Sequence, residues 1–511
     1  MAAPTASSRP RGSVLRRKPV EAFFTDTKDP KRRLKRTLGT WDLAVMGVAV
    51  AIGAGIFSVG AKAAARNAGP AVIVSFLIAA VVCGLAIMCY AEFASTIPVA
   101  GSAYTYSYAT MGEGIAWFIG WDLILEMLLA GAVIAKYWGV YLGDVFTSFG
   151  LDMSTSSTLG TVHVDWAPIA IVAAFTVLLV LGTRLSSRVN AVFTILKVAI
   201  TLFVVVVGFF YVKAANYSPF VPPSQPAPPQ AELDQPFFAF LTGMTPTTYG
   251  IVGVLSGAAL VFFAFIGFDV VATTAEETKD PQRTMPRGIL IGLGIVTVLY
   301  VLVTIVITGM VPYTELAAQE APSLTSAFLL VGADWAGQII SIGILLGLTS
   351  VLLVLLLGLT RVVFALSRDG LLPRGLSRTG SRGTPVALQI GAGVVVAVLA
   401  GVLDVSSLEE MVNIGTLSAF VLVSFGVVVL RRTRPDLKRG FRVPWAPALP
   451  IISGVVCIAL MFNLPTLTWI RFGVWLVIGA VLYFAYGFWN SRLRHGEIVS
   501  TEVDLDAPAG H

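Results

Sequence analysis

Apolar runs of about twenty residues, divided by short polar stretches, set the pattern of this chain. A helix of that length crosses the ~30 Å hydrocarbon core of a bilayer. Nothing resembles the period-2 alternation, in segments of about ten residues, that marks a membrane barrel. Twelve segments are expected, beginning near Trp41, Ala71, Ile115, Trp166, Asn190, Gly250, Gly288, Trp335, Pro385, Leu408, Pro447 and Trp469. The pattern predicts an all-α integral membrane protein with twelve transmembrane helices. The third and eighth runs are long for a bilayer and should tilt or protrude. Between the fifth and sixth, NYSPFVPPSQPAPPQAELDQP (Asn216 to Pro236) is Pro-rich and polar, and an extended connection is expected there.

Charge orients these spans. With the N-terminus placed inside, 29 of the 35 Lys and Arg residues fall in cytoplasmic segments. By the positive-inside rule both termini then face the cytoplasm. The net charge of +6 needs no nucleic acid to explain it. The basic arm ending in RRLKR, beside the first span, is suited to anionic lipid. Cys83, Cys89 and Cys457 lie in apolar runs, and His163, His495 and His511 are scattered over loops and tail. These residues offer no metal set, and the spans carry no nucleophile–base pair, so an enzyme is disfavoured. The N-terminus lacks the apolar region and cleavage site of a secretory signal peptide.

Two runs carry helix-weakening residues near their middles. The first reads VAVAIGAGIFSVGAKAA, with Gly53 and Gly55 flanking Ala54. Irregular backbone inside a membrane is tolerated only within protein or around a cavity. A run almost without side chains unwinds easily and lets a ligand approach bare backbone. The alternative is close helix packing through small residues. The sixth run, GAALVFFAFIGFDVVATTAEETKDP, is interrupted by Gly267 and Asp269, and Asp269 can cap a second half-helix. Two breaks, five spans apart in helices of opposite sense, are the pattern of two inverted five-helix units with a binding site between them.

The chemistry of such a break selects a ligand. Free N–H groups at a half-helix N-terminus favour a carboxylate, and free carbonyls at the opposing end accept from an ammonium. Both together suit an α-amino acid. The carboxylate is expected at Gly53, Ala54 and Gly55, and the ammonium at carbonyls of Ile52, Phe263, Ala264 and Ile266. Phe265 and Phe268 are candidate pocket walls, with plain core or lipid contact as the alternative. Ionisable residues inside spans are functional candidates because burying them is costly. Lys197 has no acidic residue in its own helix. Desolvation disfavours a charged lysine, which makes Lys197 a candidate proton carrier that holds and releases carbonyls at the first break. A fixed cationic tether is the alternative. Glu126, one helical turn from Asp122, is a second candidate, for proton coupling or a polar substrate side chain. A structural bond between helices serves it equally. Lys136 is expected to snorkel outward, and Asp122 to stand behind the site at most.

GAGIF, YAEFASTIPVAGSAYTYSYATMGEGIAWFIGWDLILE, FFAFIGFDVVATTAEETKDPQRTMPRGI and TRVVFALSRDGLLP together resemble the bacterial branch of the cationic amino acid transporter family. That family belongs to the amino acid–polyamine–organocation superfamily. The resemblance runs from about Trp41 to Tyr486. It implies the leucine-transporter fold: two inverted five-helix repeats (41–212 and 250–430) plus two further helices (431–490, with the basic loop that precedes them). An N-terminal arm (1–40), an outer Pro-rich loop (213–249) and a tail (491–511) complete the chain. It also implies alternating access at the plasma membrane. Lys197 matches a fifth-helix lysine of proton-coupled relatives, at a site that sodium fills in other branches. Proton symport of an L-amino acid, with no cofactor or metal, is therefore expected. Thr349 and Ser350 keep a sodium site open as an alternative. Leu355, where a smaller residue would admit a long side chain, favours small neutral substrates such as alanine, whereas Glu126 and Asp269 favour arginine or lysine. A proton-independent exchanger or uniporter and a transporter-like sensor are the competing functions.

Overall fold

The computed structural model describes residues 14–18, 38–96 and 102–495, apart from 152, 160–161, 183–186, 230, 273, 275–277, 320, 379, 381–383, 436 and 438. Its fabric is helical. The first apolar run forms α1 (Thr40–Ala51) and, after a three-residue break, α2 (55–68). There follow α3 (Val72–Thr96), the short α4 (Ser102–Thr110), α5 (Glu113–Ser148), α6 (Trp166–Val180) and α7 (Ser187–Phe209). The sixth run forms α8 (Gly250–Val261), a 3-10 turn (Phe262–Phe265) and α9 (Phe268–Ala272). Then come α10 (Pro281–Met310), α11 (Asp334–Arg368), α12 (Val386–Val402), α13 (Val405–Thr433), α14 (Ala448–Met461) and α15 (Thr466–Leu482). Among the described residues seven helical stretches are long and apolar enough to cross a membrane, and five shorter apolar helices accompany them.

Large apolar side chains are exposed on the outer helices, among them Val81, Ile195, Val206, Ile251 and Val398. A helix apolar on all sides has lipid or protein around it, since water would penalise that surface. Inside, small residues let backbones approach. On α10, a Cβ at Gly288 would stand 2.6 Å from the Leu43 Cβ, and one at Gly292 3.0 Å from the Ala44 carbonyl oxygen. These two glycines seat α1. On α11, Gly343 and Gly347 do the same for Ile200 and Lys197 of α7, at 2.4 and 3.1 Å.

Two expectations change here. The Pro-rich loop is folded back on the bundle: Tyr217 and Asn216 donate to the carbonyls of Ile305 and Gly309 at 2.7 Å each. Gln225–Pro226 also pairs with Thr247–Thr248. Carbonyls in the last two turns of α10 supply the partners that composition alone did not reveal. Lys136 pairs with Asp165 at 2.6 Å, at the end of a small hairpin, so its ammonium has a carboxylate as well as water.

Candidate functional site

The two breaks meet. At the first, Ile52 leaves the helix in an extended conformation (φ −69°, ψ 94°). At the second, Ile266 is extended (φ −68°, ψ 143°) and Gly267 adopts φ +109°, which only glycine tolerates readily. A Cβ on Gly267 would also stand 2.4 Å from Val50. Gly55, the first residue of α2, lies against the backbone of Ala264, where a Cβ would come within 2.3 Å of the Ala264 Cα. Gly53 differs: a Cβ there would meet only side-chain ends of Ile134 and Val351 at 3.6 and 3.8 Å. One glycine permits contact between the broken helices, and the other faces open space.

Breaking a helix frees carbonyls, and each buried one requires a partner. In a continuous helix the Ala49 carbonyl would accept from the Gly53 amide. Here it accepts from the Lys197 ammonium at 2.7 Å. Lys197 is 2% exposed and lies along Gly347 of α11. The carbonyls of Ala51 and Ala264, one from each break, share the Tyr300 hydroxyl at 2.6 and 2.8 Å. The Tyr300 ring is fixed edge-on to Phe76 and Phe265. Asn413 of α13 donates to the carbonyls of Ala259 and Leu260, at the end of α8, at 3.1 and 3.4 Å. Sequence reasoning missed Tyr300 and Asn413. Their signal was a polar tip inside an apolar run, but their partners lie 36 to 249 positions away.

Between the breaks is a small cavity. Val50, Ala51, Gly53, Ala54, Gly55, Phe263, Ile266 and Gly267 of the broken helices line it, with Ala130 and Ile134 of α5 and Val351 and Leu355 of α11. The centres of water-sized molecules have about 30 Å³ there, room for roughly two waters. The site must widen to take an amino acid. Ile52, Ala264 and Phe265 are buried beside the cavity without lining it. Phe265 packs on Phe76 and Tyr300, while Phe268 packs on Gly47 and Gly292. Neither of these rings walls the pocket, because each fills a groove between helices.

Glu126 is buried on α5, and it too is not among the lining residues. Asp122 accepts from the Ser418 hydroxyl of α13. Asp269 is the second residue of α9, and its side chain lies outside the described residues. Thr349 donates to the Leu345 carbonyl at 2.8 Å and accepts from the Trp138 indole at 3.1 Å. Ser350 donates to the Gly347 carbonyl.

On one side of the cavity α2, α5 and α13 are tied together. The Lys62 ammonium donates to Ser406 at 2.7 Å and to Glu409 at 2.9 Å, and the Tyr137 hydroxyl donates to Glu409. Glu409 is fully buried, so the cation is what makes its charge tolerable.

A helical membrane protein with a site between two facing helix breaks belongs to the class of solute transporters. Residues 38–485 match the amino acid permease family, to which the chain belongs, within the amino acid–polyamine–organocation superfamily. It is 41% identical, over 95% of its own length and 100% of the relative's, to the branched-chain amino acid permease BcaP of Bacillus subtilis. It is 40% identical to a methylthioribose transporter of the same organism, over 94% of this chain and 99% of that one. It is 39% identical to a vacuolar cationic amino acid transporter 4 of Arabidopsis thaliana, over 83% of this chain and 68% of the relative.

Proposed function

We propose that the protein is a proton-coupled symporter of neutral aliphatic L-amino acids. It works by alternating access in the plasma membrane, with twelve spans, inverted repeats and both termini cytoplasmic. The observation that carries this reading is the pair of breaks around one cavity. The first amides of α2 have no intrahelical acceptor and suit a carboxylate. The carbonyls of Phe263 and Ile266, residues that line the cavity, suit the ammonium, and those of Ile52 and Ala264 join them once the site widens. Ala264 keeps a second lone pair beside Tyr300.

Among the described residues the walls are apolar, at Ala130, Ile134, Val351 and Leu355, and supply no counter-charge for arginine or lysine. That agrees with the neutral solutes named for the two Bacillus relatives. Lys197 supplies the coupling. Charged, it holds the Ala49 carbonyl; neutral, it retains two protons and a lone pair and holds it weakly. Protonation therefore steadies the end of α1, and proton loss frees α1 to move. The Lys197 ammonium already occupies the Ala49 carbonyl, where a sodium ion would have to compete with it, which favours a proton over sodium as the coupling ion.

The test is uptake of labelled isoleucine, alanine, arginine and methylthioribose into proteoliposomes, with and without an inward proton gradient. Gradient-driven accumulation of the aliphatic amino acids is expected. Accumulation that ignores the gradient would make the protein an exchanger or uniporter, and preference for methylthioribose would replace the substrate class.

A further inference from the structure

A second polar cluster lies where the start of α5 meets both ends of the chain. Glu113 is fully buried and accepts from Arg16 (Nε at 3.1 Å), Tyr108 (2.8 Å), Tyr483 (3.0 Å) and Ser491. Its amide donates to the Arg16 carbonyl, and the Gly114 amide to the Val14 carbonyl, both at 2.9 Å. Residues 14–16 thus run along the first turn of α5. They rest on bare backbone, since a Cβ at Gly112 or Gly114 would come within 2.8 Å of Leu15 or 2.3 Å of Val14. Lys18 reaches Asp369, just past the end of α11, at 3.3 Å, and its amide donates to the Tyr108 carbonyl at 3.1 Å. Arg16 and Lys18 are 7% and 4% exposed. The basic arm was expected to meet lipid. These two residues meet carboxylates instead, and RRLKR lies outside the described residues.

The strap covers α4. Three tyrosines of that nine-residue helix each hold a different element. Tyr104 donates to Asp369 at 2.7 Å, Tyr108 to Glu113, and Tyr106 to the Ala272 carbonyl at 3.3 Å. Ala272 is the last residue of α9, the second half of the second broken helix. Burial, reinforced by the neighbouring carboxylates, pushes the phenols of Tyr104 and Tyr108 well above their ordinary range, so both remain donors. For α9 to move outward it must leave Tyr106. For α4 to yield, the pairs at Asp369 and Glu113 must open. Val14 packs against the core and the Arg16 guanidinium lies over the Phe488 ring; the remaining contacts of the strap are ion pairs and hydrogen bonds, which separate and re-form as a unit.

We propose that residues 14–18 are a latch that holds α4 against α9 over the cytoplasmic end of the substrate path, and that its release precedes inward opening. This rests on the alternating-access reading above.

The test is side-specific labelling of a cavity reporter, Val50→Cys, with a membrane-impermeant maleimide. It is applied from either face of oriented vesicles holding the full-length protein, alongside isoleucine uptake. Arg16→Ala, Lys18→Asp and Tyr106→Phe are each expected to raise labelling from the cytoplasmic face fivefold or more, with no rise from the outer face. The exchange Lys18→Asp with Asp369→Lys is expected to return the rate towards that of the unmodified latch. Rates within twofold of the parent, or an equal rise from both faces, as a merely loosened fold would give, overturn the latch. If the one-sided rise is found in a protein that takes up no amino acid, the latch stands and the transport reading falls.

Discussion

Gly55 and Ala264 touch backbone to backbone, with the place a Cβ would take at Gly55 only 2.3 Å from the Ala264 Cα. This contact fixes the distance between the two broken helices and so the height of the cavity. Gly55→Ala is expected to abolish transport and to destabilise the protein by about 1–3 kcal/mol or more, the range for overpacking where backbone cannot yield. Gly53→Ala is expected to fold normally, because its nearest neighbours are side-chain ends at 3.6 Å and beyond, and to lose substrate affinity by narrowing the site. Thermal unfolding beside isoleucine binding separates the two. Equal behaviour of the two variants would contradict the assignment.

Tyr300 links the breaks by its hydroxyl alone, its ring being held by Phe76 and Phe265. Tyr300→Phe keeps the ring and leaves the Ala51 and Ala264 carbonyls short of a donor. An unsatisfied buried group costs about 1–3 kcal/mol. A KM raised roughly tenfold, the equivalent of 1.4 kcal/mol, is expected in uptake assays, with normal insertion. An unchanged KM would make Tyr300 mere packing.

The two helix breaks were legible because paired glycines, and a glycine close to an aspartate, interrupt otherwise apolar runs. Gly53, Gly55 and Gly267 announced both breaks. Lys197 announced itself as a charge without an acidic partner in its own helix. What the chain could not reveal is which freed carbonyl each donor finds. Lys197 and Ala49 are 148 positions apart, and Lys62 and Glu409 are 347 apart. Glu126 shows the limit from the other side. A turn from Asp122 it shares a helical face, yet neighbouring helices decide that the cavity is lined by Ala130 and Ile134.

Lys62 ties α2 to Glu409 of α13, and in the proposed orientation this pair stands on the outer side of the site. Lys62→Ala would leave the fully buried Glu409 without its cation, and breaking one partner of a buried pair costs about 3–5 kcal/mol. Opening that side to water relieves the cost. The variant is therefore expected to favour the outward-open state, bind substrate from outside and carry it several-fold more slowly. Labelling of Val50→Cys from the outer face should rise. A variant closed to outside reagent would contradict this role.

Leu355 occupies the wall opposite the broken helices. Leu355→Ala removes about three methylene equivalents of apolar wall, at about 0.8 kcal/mol each when filled by substrate. Selectivity is expected to shift from small aliphatic towards longer side chains, read as competition by lysine and methionine against labelled alanine. A variant with the parent's rank order would place the side-chain pocket elsewhere.

The most direct measurement is isoleucine uptake into proteoliposomes with and without an inward proton gradient, comparing the parent with Lys197→Ala. The account predicts that the parent concentrates isoleucine only with the gradient. The variant should still bind isoleucine but lose concentrative uptake, because the Ala49 carbonyl no longer has a partner that can gain and lose a proton. A variant that concentrates isoleucine as the parent does, or a parent indifferent to the gradient, would contradict it.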